Sequence, residues 1–377
     1  MSFVGSELQP RYESRLQALG LGDVVTAYRR FPGGRSNIDF AWDVFRHISS
    51  RSDCVACCLD IRDFFPSIRH SPLKKAWREV WGSTTLPRHH YLVYRAMSRW
   101  NHVPVIDVLL AKGRGKHALR RWPPGKPLVE SMREFRTIVV PLIRRGWSEV
   151  EEPAGIPQGA PISGLLANVF MLDIDHSTHQ LANSLGVMYR RYSDDIVLVG
   201  PTIEAVRAVV DHLTVHMATR GLEHEPGKAS WHHFITTSDG GAHECSPTPM
   251  QYLGFTFDGR DVLLRSQTIA RSIRRMKSGV RRAKEATRAA AVRSEERASL
   301  WRRDLFDRYS WQGLRHPACT GTRSTFSGYA RRAVLTLNSE AIRRQLRGQQ
   351  ARLESEIALA EGEMRRNHNT RRSRGRR

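Results

Sequence analysis

The sequence predicts an α+β protein built on an antiparallel sheet, and three observations carry that expectation. Short apolar runs of strand length, at 54–61 and in "YRRYSDDIVLVG" (189–200), are interrupted by helical segments. They read as hairpins, as does "QYLGFTFDGRDVLL", and not as the regular βαβ alternation of a parallel sheet. From residue 266 onward the apolar spacing is helical throughout. At 377 residues the chain has room for two or three subdomains.

Taken in order, the first 50 residues read as helical and polar, broken by a turn at "FPGGRSN". Helical spacing resumes in "IDFAWDVFRHI", where Ile38, Trp42, Phe45 and Ile48 share one face. Residues 54–61 read as a buried strand in which the cysteines of "CVACCLD" act as small hydrophobes. Cys54 and Cys57 also have the spacing of a zinc half-site, but Cys245 and Cys319 stand alone and supply no second pair. "SPLKKAWREVWG" reads as a helix that Gly82 stops. The stretch 101–150 holds a basic loop, "KGRGKHALRRWPPGKP", that misses the P-loop spacing: Pro127 follows Gly125-Lys126, and Arg120 stands where the upstream glycine belongs.

Beyond residue 155 come a Gly-Pro turn, a helix over "SGLLANVFMLDIDH", the Asp-Asp hairpin, a helix at about 202–220 and the second hairpin. In the helix that follows, Ile269, Ile273, Met276, Val280 and Ala283 form an apolar stripe flanked by Arg274, Arg275, Lys277, Arg281, Arg282 and Lys284. A second amphipathic helix, 339–364, aligns Ile342, Leu346, Leu353, Ile357 and Met364. Residues 366–377 have no apolar anchor and are expected to be disordered.

The formal charge is +23, from 60 Lys and Arg against 37 Asp and Glu. It is unevenly spread: residues 259–377 hold 30 basic and 11 acidic side chains, which makes a polyanion the natural partner of that third. The plain alternative is a solvated basic face. No run of 18 apolar residues exists and the N-terminus lacks a signal-peptide core, so a soluble, cytoplasmic protein without a membrane partner is expected.

Against that positive background, Asp194 and Asp195 place two like charges inside an apolar hairpin. Enclosed carboxylates repel and lose hydration, so they persist where a cation offsets them. Mg²⁺ accepts carboxylate oxygens together with substrate phosphates, and Asp60, closing its strand, offers a further ligand. An exposed acidic turn is the competing reading of the dipeptide alone.

The order of motifs adds to this. Asp60 at a strand end, then "AGIPQGAPISGLLANVFM", Tyr192-Ser193-Asp194-Asp195, "EPGKAS" and "QYLGFTF" resemble the palm of a reverse transcriptase over roughly residues 54–258, and more loosely through a helical region to about 365. The resemblance implies a right-hand polymerase with fingers at 1–53 and 71–154, a catalytic palm at 54–70 and 155–258, and a helical thumb at 259–365. It implies that Asp60 and Asp194, with Asp195 and the carbonyl of Ile61, hold two Mg²⁺ ions, Mn²⁺ being an acceptable substitute. Phe65 falls at the aromatic gate against the sugar 2′ position, and Phe64, on a strand, would point the opposite way. Gln158 and Gly159 would line the nucleotide pocket, and Lys228 would protonate the pyrophosphate, although "PGKAS" lacks the usual following Thr-Glu. Leu253 and Gly254 would grip the primer end, with Arg274, Arg275, Lys277 and Arg281 on the duplex; Arg30 and Arg35 are the candidates for the triphosphate, with the 112–121 loop as competitor.

Each role has a simpler rival: Phe65 as core, Gln158 as a turn residue, Lys228 as a surface lysine. Asp63, Asp173 and Asp175 read as structural or helix-surface residues. Endonuclease and RNase H signatures are absent, as are the retron segments "NAxxH" and "VTG". The resemblance is then to a compact bacterial reverse transcriptase, most like the defence-associated group, with an RNA template, a DNA primer, dNTPs and a cognate non-coding RNA as partners. An RNA-binding maturase-like scaffold, and a template-independent or protein-primed polymerase, are the alternatives.

Overall fold

In the computed structural model the described residues are 2–115, 118, 122, 127–148, 152–225, 227, 229–236, 242–244, 246–294, 300–310 and 325–374. Helices α1 (Ser2–Ala18) and α2 (Asn37–Ser49) precede strand β1 (Asp53–Asp60), a helical turn α3 (Phe64–Ser67), α4 (His70–Trp81) and α5 (Arg88–Ser98). Next come β2 (Asn101–His102), α6 (Val105–Ala111) and β3 (Arg144–Arg145), then α7 (Ser163–Ser184), β4 (Met188–Tyr192), β5 (Asp195–Gly200) and α8 (Ile203–Thr219). Strands β6 (Ser230–Thr236), β7 (Ala242–Glu244), β8 (Met250–Tyr252), β9 (Phe255–Phe257) and β10 (Val262–Leu264) lead to five helices. These are α9 (Ser266–Ser294), α10 (Arg302–Tyr309), α11 (Phe326–Thr336), α12 (Glu340–Gln345) and α13 (Gln349–Arg374). The chain is therefore mixed α+β with antiparallel strand pairs, as expected.

Two compact units result, Met1–Arg30 with Val55–Ser230, and Phe31–Cys54 with Trp231–Arg377. The segment 1–53, grouped as fingers from the sequence, is divided between them: α1 belongs to the first unit and α2 to the second.

In the first unit β5 pairs antiparallel with both β4 and β1. Its run Ile196–Val199 is apolar without alternation because every residue in it is buried. Helix α7 lies at the centre, against α1, α4, α8 and β4, and buries Leu165 to Leu172 on all sides. The ends of its neighbours follow local chemistry. Gly82, at φ +78°, stops α4 in the left-handed conformation, and the Thr202 hydroxyl accepts the Ala205 N–H at 3.2 Å to cap α8.

In the second unit β8, β9 and β10 form an antiparallel meander. Phe257 stacks on Phe45 of α2 (4.8 Å between centroids) and on Phe234 of β6 (5.7 Å). The stripe expected on α9 is partly realised: Met276 and Val280 pack with Leu300, Leu305, Leu353, Ile357 and Ala360. The single helix expected over 339–364 is two helices, because the chain turns at Gly348, φ +81°, between α12 and α13. The α13 backbone is helical to Arg374, within the 366–377 segment for which disorder is expected from the sequence. Extending an existing helix gains one backbone hydrogen bond per residue, and arginine propagates it well without an apolar anchor. No helix among the described residues is long and apolar enough to cross a membrane.

Candidate active site

Three backbone features bring acidic residues to one end of the first unit's strands. Strand β1 ends at Asp60, directly opposite Asp195 on β5. β4 and β5 are joined by the two-residue turn Ser193-Asp194, with Ser193 left-handed at φ +63°. The Ile61 N–H donates to the Asp194 carbonyl (3.1 Å), and the Glu225 N–H donates to the Asp60 carbonyl (3.0 Å). These bonds fix Asp60, Asp194 and Glu225 around a cleft of about 690 Å³. Among the described residues its wall contains four carboxylates (Asp60, Asp63, Asp194, Glu225) and one guanidinium, Arg62, an acidic lining within a chain of charge +23.

The turn rests on a buried ion pair. Arg191 of β4 and Asp175 of α7 are both fully buried, with Arg191 Nη2 to Asp175 Oδ2 at 2.6 Å and Nε to Oδ1 at 2.8 Å. The remaining guanidinium nitrogen, Nη1, donates to Asn168 Oδ1 (3.2 Å) and to the Ser193 carbonyl (3.1 Å). Tyr189 donates its hydroxyl to Asp175 Oδ1 at 2.7 Å. Burial pulls the Arg191 pKa down, but the Asp175 charge outweighs it and holds the guanidinium above its usual value. Burial first, and Asp175 second, push the Tyr189 phenol well up. The Arg191 backbone also binds the chain at 24–26, donating to the Val24 carbonyl (2.8 Å) and accepting from the Thr26 N–H (2.9 Å).

The opposite wall comes from "FFPSI" and "AGIPQG". The Ile156 N–H donates to the Phe65 carbonyl (3.0 Å), and the Gly155 N–H to the Ile68 carbonyl (2.9 Å). His70 Nε2 donates to the Gly155 carbonyl (2.9 Å), and the Ser163 hydroxyl to the Pro157 carbonyl (2.5 Å). Gln158 and Gly159 then project as exposed residues of the cleft, across from Phe65. Phe64 and Phe65 do not alternate as on a strand: they lie in α3, both buried, both lining the cleft, with centroids 5.6 Å apart. The period-2 expectation fails because β1 ends at Asp60 and Asp63 takes a left-handed φ of +43°.

Of the residues expected at the site, Asp60, Ile61, Phe65, Gln158, Gly159 and Asp194 line this cleft. Asp195 is exposed at the start of β5 and is not part of the lining. Arg30 is exposed and Arg35 pairs with Asp43; neither is among the lining residues. Lys228 lies outside the described residues, as does most of the 112–121 loop beyond Gly115. In the second unit Leu253 and Gly254 form the β8–β9 turn with φ of +47° and +92°, and Asn37 Nδ2 donates to the Leu253 carbonyl (3.0 Å). Arg274, Arg275, Lys277 and Arg281 are exposed on α9, and Lys277 pairs with Glu356 at 2.7 Å.

Five lining residues were missed from the sequence as site residues: Tyr28, Arg62, Asp63, Phe64 and Glu225. Glu225 stands within the quoted "EPGKAS", and its acid beside a family-like segment was an available signal; Tyr28 had none. Asp173 is a surface residue paired with Arg220 (2.9 Å), and Asp175 is a buried structural one.

Two other groups carry metal-ligand side chains. Burial pushes the Cys54 and Cys57 thiols up to about 11 and about 12, in keeping with small hydrophobes in a strand. Glu7, His89 and His90 do bring ligand atoms within 4.8 Å of one another, which the three aspartates do not. But the Trp77 indole N–H donates to His90 Nδ1 (3.2 Å), so the neutral ring carries its proton on Nε2 and gives it to Glu7 (3.2 Å). Among the described residues the acidic cleft offers hard oxygen donors and no imidazole or thiol in its lining, the donor set that suits Mg²⁺.

Comparison with known proteins places these residues in context. Residues 126–257 match the profile of the family described as reverse transcriptase (RNA-dependent DNA polymerase). That span takes in Gln158, Gly159, Asp194, Asp195, Leu253 and Gly254, and begins after Asp60 and Phe65. Over 67 residues the chain is 36% identical to the retron Ec86 reverse transcriptase of Escherichia coli, a match covering 18% of this chain and 21% of that protein. Among solved structures, telomerase of Candida tropicalis in complex with a fragment of telomeric RNA aligns at a TM-score of 0.42 and 10% identity, covering 94% of this chain and 53% of that one. Telomerase of Candida albicans aligns at a TM-score of 0.40 and 11% identity, covering 74% and 42%. The chain thus spans about a fifth of the curated relative and about half or less of these telomerases.

Removing one partner of the Asp175–Arg191 pair strands a buried charge. Asp175→Ala is expected to cost about 3–5 kcal/mol in urea unfolding, and Asp175→Leu combined with Arg191→Met less than either single change. His70 gives a pH signature. Burial lowers its pKa, more than its bond to Gly155 restores. As pH falls below about 6.5 the unfolded chain takes up the proton first, so this contribution to stability is complete above that pH and declines below it. Unfolding measured between pH 7.5 and 5 should show a shallower loss in His70→Gln than in the wild type, the difference staying under about 1.4 kcal/mol per pH unit.

Proposed function

We propose that this chain, which carries a reverse transcriptase (RNA-dependent DNA polymerase) domain over residues 126–257, is an RNA-directed DNA polymerase whose active site is the acidic cleft beside β1 and the β4–β5 turn. The observation that carries the reading is the convergence of Asp60, Asp194, Phe65 and Gln158 on one cleft from three separated segments. The template is a cognate non-coding RNA, the product is cDNA, and the setting is cytoplasmic antiphage defence. The last of these rests on the likeness of "NIDFAWDVF" and "LDIRDFFPSI" to the defence-associated group.

In this reading Asp60 and Asp194, the Ile61 carbonyl and the adjacent Asp195 hold two Mg²⁺ ions, which when bound offset the charge of the attacking and leaving oxygens in nucleotidyl transfer. The chain's own residues do the selecting and orienting. Phe65 presents its ring to the sugar, where a 2′-hydroxyl would collide with it. Gln158 and Gly159, held by the lacing of residues 155–157, receive the base pair being formed. Arg62, the guanidinium in the lining, faces the triphosphate in preference to Arg30 or Arg35. Lys228 donates the proton to pyrophosphate as general acid. In the second unit the Leu253-Gly254 turn meets the primer end, and the exposed arginines of α9 neutralise backbone phosphates.

Two measurements test this. The wild type should extend a DNA primer on an RNA template in Mg²⁺, and Asp194→Asn with Asp195→Asn should abolish extension while leaving RNA affinity within about twofold; extension by the double variant would sink the assignment, and RNA binding without any wild-type synthesis would favour the maturase-like scaffold. Neutralising Arg274, Arg275 and Arg281 together should reduce the slope of log affinity against log salt by roughly 0.9 for each duplex phosphate that is no longer neutralised. An unchanged slope means those charges face solvent only.

A further inference from the structure

Tyr28 is a residue of the cleft for which the sequence offered no role. It adopts φ +58°, in the left-handed region that a bulky side chain rarely occupies, and it remains 49% exposed although aromatic. Its hydroxyl is 3.1 Å from the Ser193 hydroxyl in the turn that carries Asp194. Its ring stands edge-on to Phe65, with centroids 6.2 Å apart and planes at 85°. It also lies so close over Gly164 of α7 that a Cβ there would overlap it, which makes the missing side chain at Gly164 part of the fit. The backbone just before it is anchored, because Asn168 Nδ2 donates to the Ala27 carbonyl at 2.9 Å. A strained, exposed ring fixed at both its edge and its hydroxyl is a built feature of the cleft wall.

We propose that Tyr28 is the positioning residue of the sugar gate: it braces the Phe65 ring by edge contact and ties that ring, through Ser193, to the turn bearing Asp194. The inference rests on the reading of the cleft as a nucleotide site and deepens it. A gate works by steric exclusion only while its ring cannot retreat. Phe65 meets Phe64 of its own helical turn at 5.6 Å and Tyr28 of a distant segment at 6.2 Å, so where Tyr28 is missing the ring has space into which it can yield to a 2′-hydroxyl. With Tyr28 in place that path is closed. Selection of deoxynucleotides over ribonucleotides therefore depends on a residue 37 positions before the gate itself.

The test compares wild type, Tyr28→Ala and Tyr28→Phe in single-nucleotide incorporation of dCTP and CTP on an RNA template. In parallel, calorimetry measures equilibrium binding of the two nucleotides in Ca²⁺. Tyr28→Ala should lower the ratio of kcat/KM for dCTP over CTP by at least about tenfold, chiefly by improving CTP, and shift the binding ratio the same way. Tyr28→Phe, which keeps the ring and loses the hydroxyl, should keep the ratio within about twofold of wild type while slowing both nucleotides. A general loss of structure would depress both nucleotides alike and leave the ratio unmoved. An unchanged ratio in Tyr28→Ala, with a discriminating wild type, overturns the proposal alone. Equal loss of the ratio in Tyr28→Phe overturns the bracing ring as its cause. A wild type that neither binds nor incorporates either nucleotide overturns the functional reading, and this inference with it.

Discussion

The Asp175–Arg191 pair is the interaction on which the rest of the first unit's site depends. One guanidinium, fully out of water, satisfies a carboxylate from α7, the Asn168 amide and the carbonyl of Ser193. Its own backbone binds the strand-like segment at 24–26. Such a pair is expensive to bury and gains its value from geometry, since the planar guanidinium holds all of its acceptors in fixed directions. The consequence is that the position of the Asp194 turn and the approach of the chain to Tyr28 are set by the same residue, the first through its side chain and the second through its backbone.

Strain in the backbone gathers at the same place. Among the described residues five non-glycine residues have positive φ, and of these Tyr28 and Asp63 line the cleft while Ser193 starts the turn beside Asp194. Left-handed geometry at such residues costs on the order of 1–3 kcal/mol each. It is sustained by the surrounding bonds: Arg191 and Tyr28 on Ser193, Asn168 on the residue before Tyr28. The aromatic contacts of Phe65 with Phe64 and Tyr28 add about 0.5–1.5 kcal/mol per pair and give the wall its shape.

Electrostatics divides the labour along the chain. The cleft's four carboxylates attract cations, whereas the exposed face of α9 is basic around a core of Met276 and Val280 packed on α13. An acidic pocket attracts cations and a basic helix face attracts polyanions, so the two surfaces differ in the charge of the partner each favours.

The sequence by itself determined the element types and the acidic pair. Apolar runs of strand length specified β1 and β5, Gly82 specified the end of α4, and the helical stripe specified the buried face of α9, because these depend on neighbours within a few residues. It also placed Asp60 and Asp194 in one site, through the order of motifs. What it could not reach were features made by long-range contact. The break at Gly348 and the helical turn at Phe64-Phe65 replaced a continuous helix and a continuing strand. Burial of Asp175 required Arg191 from another element, and the inclusion of Glu225 required its backbone bond to Asp60. Tyr28 lies 165 residues from Ser193 and 37 from Phe65, and nothing in its neighbours marks it. Only the packing of α7 against the 24–28 segment brings those three side chains together, since local propensity constrains a residue's own dihedrals and not which distant ring it will meet.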